Sequence, residues 1–168
     1  MRAAIEQARL GMMTPGAAHV GCVIVKDGII VGRGFNEVEG QHDPTAHSEI
    51  VAMRRLCAEW QVTSLEGCSL YCTLQPCGMC TMACIWAGIS RIVYGATRQD
   101  VHSIYFASRH VDTHDHIRNA FRDDIEVIGG VLSEECSAFY VKKDEPAPTK
   151  DDPAHAPTVP AAEGHERG

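Results

Sequence analysis

Two short segments that must meet in space set the strongest limit on how this chain folds: His47-Ser48-Glu49, and Pro76-Cys77-Gly78-Met79-Cys80 further along. Together they carry one imidazole, two thiols and one carboxylate. A structural zinc site is usually closed by four protein ligands, whereas a catalytic one keeps three and leaves a position for water. His47, Cys77 and Cys80 make up such a set of three, and Glu49 remains as a carboxylate beside the metal. The spacing gives these residues a shared geometry. Pro76 opens a stretch that reads as a helix from Cys77 to Ile89, which puts both thiols on one face of its first turn. The positive end of a helix also favours the thiolate form that zinc binds. His47 and Glu49 are two residues apart, about 200° of rotation on a straight helix, so they share a site only where a helix begins. Asp43-Pro44-Thr45 is a helix-entry signal, and Ile50, Val51, Met53, Arg54 and Leu56 continue the pattern. The expectation is one Zn2+ per chain where two helix N-termini converge.

Charge arithmetic gives Glu49 a task. A neutral imidazole and two thiolates leave a zinc complex formally neutral, so its water is less acidified than one held by three histidines. A nearby base is then needed. Glu49 can accept the proton of the water and hand it to a ring nitrogen and a leaving amine. A C-x-x-C on its own also fits a redox pair, a structural half-site or two core cysteines. Cys84, one helical turn beyond Cys80, offers a fourth sulfur, but its neighbours Ala83, Ile85, Trp86 and Ala87 favour a buried apolar role. Cys22, Cys57, Cys68, Cys72 and Cys136 lack paired spacing and read as core.

H-x-E followed by P-C-x-x-C is the signature of zinc nucleobase deaminases, and the chain resembles the cytidine deaminase-like superfamily. The resemblance is to its free nucleobase and nucleoside deaminases and its tRNA wobble-adenosine deaminases. It runs through Val20-Gly21-Cys22-Val23-Ile24-Val25, Gly34-Phe35-Asn36, His42-Asp43-Pro44-Thr45-Ala46-His47-Ser48-Glu49, Tyr71-Cys72-Thr73-Leu74-Gln75-Pro76-Cys77, Arg91-Ile92-Val93-Tyr94-Gly95-Ala96 and Gly129-Gly130-Val131-Leu132-Ser133-Glu134-Glu135-Cys136. It implies that His47, Cys77 and Cys80 hold zinc, that Glu49 shuttles protons, and that Asn36 hydrogen-bonds the base or sugar. Ser48 stands where such proteins usually have alanine or another small residue, and Gln75 where glutamate or serine is common.

The 168 residues suffice for one sizeable core. Five of the eight prolines fall after Glu145, among Asp, Glu, Ala and Thr without apolar periodicity. Such a segment cannot bury enough surface to offset its ordering entropy. Residues 1–143 are therefore expected to form the deaminase domain and residues 144–168 a flexible tail. Gly21 to Lys26 and Ile29 to Phe35 read as strands joined at Asp27-Gly28. Ser69 to Leu74, Arg91 to Tyr94 and Ile125 to Leu132 offer three more. Helices are expected near the N-terminus, from Ala46 to Trp60, from Cys77 to Ala87, and after Leu132 with Ser133 as N-cap. The alternation implies a central sheet covered on both faces. The resemblance makes this a three-layer α/β/α sandwich with a five-stranded mixed sheet.

Thr97 to Asp124 reads as a solvated loop rich in His and Asp, or as a stretch with one histidine lining a pocket. Thr113-His114-Asp115-His116 within it raises, and does not favour, a second metal. Tyr105 and Phe106 are either core or an aromatic wall for a base. Substrate class follows from charge. The chain carries −7 overall, and residues 1–141 hold 11 Lys plus Arg against 16 Asp plus Glu. A tRNA editor needs a clustered basic surface. The run from His42 to His47 resembles tRNA deaminases closely, but net charge, a segment after Gly95-Ala96 unlike their substrate loop, and Ile85-Trp86-Ala87-Gly88-Ile89 favour a free nucleobase or nucleoside of guanine or cytosine type, as in purine or pyrimidine salvage. The alternatives are a tRNA wobble adenosine-to-inosine deaminase and a binding protein that kept the zinc fold without the chemistry. The expected partners are a small-molecule substrate and a second copy in a homodimer, with nucleic acid disfavoured. Cysteines without a signal peptide fit a reducing cytoplasm, and no apolar run is long enough to span a bilayer.

Overall fold

Asp27-Gly28 is where the sheet starts: both residues take positive φ, 51° and 78°, the geometry of a tight hairpin turn. The computed structural model describes residues 1–105 and 112–147. In chain order these form α1 (Arg2–Met12), β1 (Ala18–Lys26), β2 (Ile29–Asn36), α2 (Val38–Gln41), α3 (Ser48–Trp60), β3 (Ser69–Leu74), α4 (Gly78–Ala87) and β4 (Arg91–Ala96). A 3-10 turn (Ser103–Tyr105), α5 (Thr113–Arg118), β5 (Glu126–Ile128) and α6 (Ser133–Ser137) follow. The sheet order is β2-β1-β3-β4-β5. β1 is antiparallel to both β2 and β3, while β3, β4 and β5 run parallel. This is the expected five-stranded mixed sheet.

Strand alternation places the helices. Cys22 lies opposite Gly34 in the β1/β2 register, so Gly21 faces the other side. A Cβ on Gly21 would lie 2.1 Å from the Ala4 carbonyl oxygen of α1. A Cβ on Gly34 would lie 2.6 Å from the Ser48 carbonyl oxygen and 2.8 Å from the Ala52 nitrogen of α3. Each glycine lets a helix backbone rest directly on the sheet, α1 on one face and α3 on the other. The second contact seats the first turn of α3, where Glu49 sits. The core on the α3 side includes Cys22, Ile24, Leu56, Leu70, Cys84 and Ile92, whereas Ile5, Cys136 and Tyr140 pack on the α1 and α6 side. Cys84 is fully buried there, as its apolar neighbours indicated.

Several expectations are corrected. β5 stops at Ile128 because Gly130 and Leu132 both adopt positive φ, so the strand does not reach Leu132. Leu132, not Ser133, is the N-cap of α6, and Ser133 Oγ donates instead to Asp100 Oδ2 at 3.1 Å. The region 97–124 is not simply a loop, since Asp112 caps α5 by accepting from the His114 N–H at 2.9 Å. Tyr105 packs edge-on against Tyr140 with ring centroids 5.3 Å apart, and its hydroxyl accepts the Val141 N–H, which is a packing role. Phe106, His110, His155, His165 and the greater part of the expected tail, residues 148–168, lie outside the described residues. Among the described residues no helix is long and apolar enough to cross a membrane.

Candidate functional site

The two motifs converge through helix caps. His47 is the N-cap of α3 and Cys77 the N-cap of α4, both in extended backbone conformation, and Cys80 lies in the first turn of α4. The arm that delivers His47 is braced from within. Asp43 Oδ1 accepts from the Thr45 N–H at 2.8 Å and from Thr45 Oγ1 at 2.7 Å. Arg54, further along α3, donates to Asp43 Oδ2 at 3.0 Å and to Thr45 Oγ1 at 3.3 Å. Those hydrogen bonds, the Thr45 contacts foremost, pull the Asp43 carboxyl down to about 2.

His47 Nδ1 lies 3.6 Å from Cys77 Sγ and 3.6 Å from Cys80 Sγ. All three ligand atoms fall within 4.8 Å of one another. Zinc bonds of about 2.3 Å to sulfur and about 2.0 Å to nitrogen in tetrahedral array put N and S about 3.5 Å apart, so the observed edges fit one ion. The electrostatics fit as well. A hydrogen bond from the Cys80 thiol, aided by the His47 ring, holds the Cys77 thiol down at about 4. The same bond, together with burial, pushes Cys80 well up. The two sulfurs thus share one proton, which a divalent ion displaces on binding. Among the described residues no other group of three His, Cys, Asp or Glu side chains has metal-binding geometry; Thr113-His114-Asp115-His116 forms no such group and belongs to α5.

Glu49 is buried at 3% exposure. Burial raises its pKa, the nearby Cys77 adds to the rise, and His47 opposes it. A bound dication would draw it down again. Ser48 Oγ donates to Glu49 Oε2 at 2.8 Å, which engages one carboxylate oxygen and orients the group. The unusual serine therefore has a structural partner. Asn36 ends β2 with its Oδ1 accepting the Val38 N–H at 3.2 Å. The next residue, Glu37, bonds through its N–H to the Ala46 carbonyl at 2.9 Å, which ties this strand end to the His47 arm.

Asp112, Thr113 and His116 are neighbours of the metal-binding turn, a contact that their place in an expected solvated loop did not foretell. Thr113 Oγ1 donates to the Pro76 carbonyl at 3.1 Å, and Gln75 Nε2 donates to Asp112 Oδ2 at 2.8 Å. The signal was present as an Asp followed at three residues by another Asp, an acidic helix start.

Residues 1–96, which contain every residue of the two motifs, match the family model described as the cytidine and deoxycytidylate deaminase zinc-binding region. The tRNA-specific adenosine deaminase of Aquifex aeolicus is 42% identical over 81 residues, 48% of this chain and 54% of that protein. Guanine deaminase of Bacillus subtilis is 42% identical over 80 residues, 48% of this chain and 51% of that protein. The chain thus spans about half the length of these two relatives. Coverage is greater with the tRNA-specific adenosine deaminase of Buchnera aphidicola subsp. Baizongia pistaciae, 36% identical over 147 residues, 85% of this chain and 87% of that protein. A solved structure from studies of A-to-I editing by tRNA:A34 deaminases at the wobble position superposes with a TM-score of 0.68 at 28% identity, over 82% of this chain and 96% of that one.

These matches overturn the expectation of a free nucleobase or nucleoside substrate. The well-covered relatives are named for tRNA adenosine, and the guanine deaminase match reaches only half of the chain. Two of the grounds for that expectation fail physically. Net charge sums over a whole chain and does not report the field at one pocket mouth. In the 85–89 segment Ile85 and Ile89 are core and Trp86 is 74% exposed, so that segment reports packing.

Proposed function

The chain belongs to the cytidine and deoxycytidylate deaminase zinc-binding family and is a zinc-dependent hydrolytic deaminase, and on that footing we propose that it converts adenosine to inosine at the wobble position of tRNA. The observation that carries the reading is the alignment along 85% of this chain with a tRNA-specific adenosine deaminase, at 36% identity. His47 through Nδ1, Cys77 and Cys80 would hold the zinc. When bound, zinc is a Lewis acid that lowers the pKa of water.

The residues of the chain do the rest. Glu49, with Oε2 engaged by Ser48, accepts a proton from the attacking water through its other oxygen. As the water oxygen adds to C6 of the adenine, Glu49 delivers that proton to N1. It next carries the remaining water proton to the exocyclic amine, which leaves as ammonia and gives inosine. Burial of Glu49 at 3% exposure keeps bulk water from the proton that it carries. The side-chain NH2 of Asn36 is the donor proposed for the base or sugar. The target adenine must leave its stack to reach a recessed site. Ammonia release from an anticodon stem-loop with adenosine at position 34, absent when that base is guanosine, tests the reading.

A homodimer belongs to the same proposal. Trp86 and Phe121 are 74% and 69% exposed and meet edge-to-face at 5.7 Å. Beside them runs a groove of about 460 Å³ whose lining is mostly apolar, Ile50, Met53, Cys57, Ala83, Trp86 and Ala87, with Arg54 and Thr63 as its polar members. Exposed apolar patches with an aromatic anchor mark protein interfaces. Trp86→Glu is expected to convert the dimer to a monomer in analytical ultracentrifugation; an unchanged sedimentation coefficient would place the interface elsewhere. A cytoplasmic location fits cysteines that are all unpaired among the described residues.

A further inference from the structure

The turn Gln75-Pro76-Cys77-Gly78 is fastened to α5 by contacts that the deamination chemistry does not use. Gln75 is 4% exposed at the end of β3. Its Nε2 donates to Asp112 Oδ2 at 2.8 Å, and its Oε1 accepts the Arg98 N–H at 3.2 Å. One residue on, Thr113, fully buried, donates to the Pro76 carbonyl at 3.1 Å. Two residues further, a Cβ on Gly78 would lie 2.6 Å from His116 Nε2, so the imidazole rests against the bare backbone of the first turn of α4. α5 has six residues, too few to be stable as a helix alone; this turn seats its first half, and Ile117 anchors it in the core.

Resting on the tRNA reading, we propose that Gln75 is a positioning residue for substrate recognition, holding α5 beside the residues that would bind zinc, where the RNA flanking the target base docks. The seat depends on hydrogen-bond polarity. Gln75 must donate to a carboxylate and accept from a backbone N–H, and an amide offers one group of each kind. A glutamate has the same shape but sets carboxylate against carboxylate. His114 and Asp115 of α5 are exposed, and His116 is half-buried against the metal-binding turn. α5 thus presents the His114 imidazole and an Asp115 carboxylate paired with Arg118 at 3.2 Å next to the residues proposed to hold the zinc.

The test uses Gln75→Glu alone and combined with Asp112→Asn. In the double variant the polarity is reversed: the amide introduced by Asp112→Asn donates to the carboxylate introduced by Gln75→Glu, and its oxygen still caps the His114 N–H. Zinc content, amide hydrogen exchange over residues 113–118, and kcat and KM on the anticodon stem-loop are measured on the full chain. Gln75→Glu is expected to keep one zinc, speed exchange in α5 about 10-fold, and raise KM about 10-fold with kcat within about 3-fold, the size of effect expected from one unmade buried hydrogen bond. The double variant is expected to restore both exchange and KM. Wild-type exchange and KM in Gln75→Glu, a double variant no better than the single, or altered exchange with unchanged KM would each overturn the proposal. If the unmodified protein does not act on the stem-loop, the tRNA reading has failed, and the exchange comparison still decides whether Gln75 seats α5.

Discussion

Glu49→Gln is expected to keep zinc at one per chain and lower kcat on the stem-loop by about 10²- to 10⁴-fold, the range for loss of a positioned general base. The substitution preserves shape, and the amide oxygen still accepts from Ser48 Oγ, which now bonds Oε2 at 2.8 Å. What is lost is the ability to take a proton from water and pass it to the base. Stability should move the other way in the metal-free protein. Burial raises the pKa of Glu49 above its ordinary value, so at neutral pH, above the unfolded-state pKa, ionisation penalises the folded state and a neutral amide removes that penalty. The pair of measurements is kcat by ammonia release and Tm of metal-free protein. A variant within 10-fold of full activity would remove Glu49 from its assigned role.

Cys77→Ala is expected to reduce bound zinc to less than about one tenth per chain and to abolish turnover, because a three-ligand site does not tolerate loss of a thiolate. Zinc that binds only the folded state stabilises it by about 4 kcal/mol at a thousandfold excess over its Kd. A chelator should therefore lower Tm in the unsubstituted protein and leave Cys77→Ala unmoved. Cys84→Ala is the control. Its sulfur is in the core and is not a member of the group formed by His47, Cys77 and Cys80, so zinc and turnover should persist. Metal analysis by mass spectrometry decides both; zinc retained by Cys77→Ala, or lost with Cys84→Ala, would mean a different ligand set.

Much of this was legible because strong local signals agreed with the global fold. Asp27-Gly28 marked its hairpin through the backbone each residue needs, and Pro76 marked the entry to α4, one residue before its N-cap Cys77. The close juxtaposition of His47 with Cys77 and Cys80 was legible from chemistry, since a histidine and two thiols at two helix starts make up the three-ligand set of a catalytic zinc site. α5 was hidden because its stability comes from elsewhere. Its six residues carry no long apolar period, and Gln75 and Pro76, which hold it, are distant in sequence. Ser133 reads as a cap by type, yet its hydroxyl is drawn to Asp100 by tertiary contact. Substrate class was misread for a related reason: a formal charge of −7 over 168 residues is a property of the whole chain, whereas recognition depends on the surface within reach of one pocket.

Sequencing of native tRNA after incubation with the zinc-loaded protein tests the function most directly, with Glu49→Gln as the blank and free adenosine, guanine and cytosine assayed in parallel for ammonia. Inosine confined to position 34, absent with Glu49→Gln, is the expected result. Ammonia from a free base or nucleoside with no inosine in tRNA would contradict it.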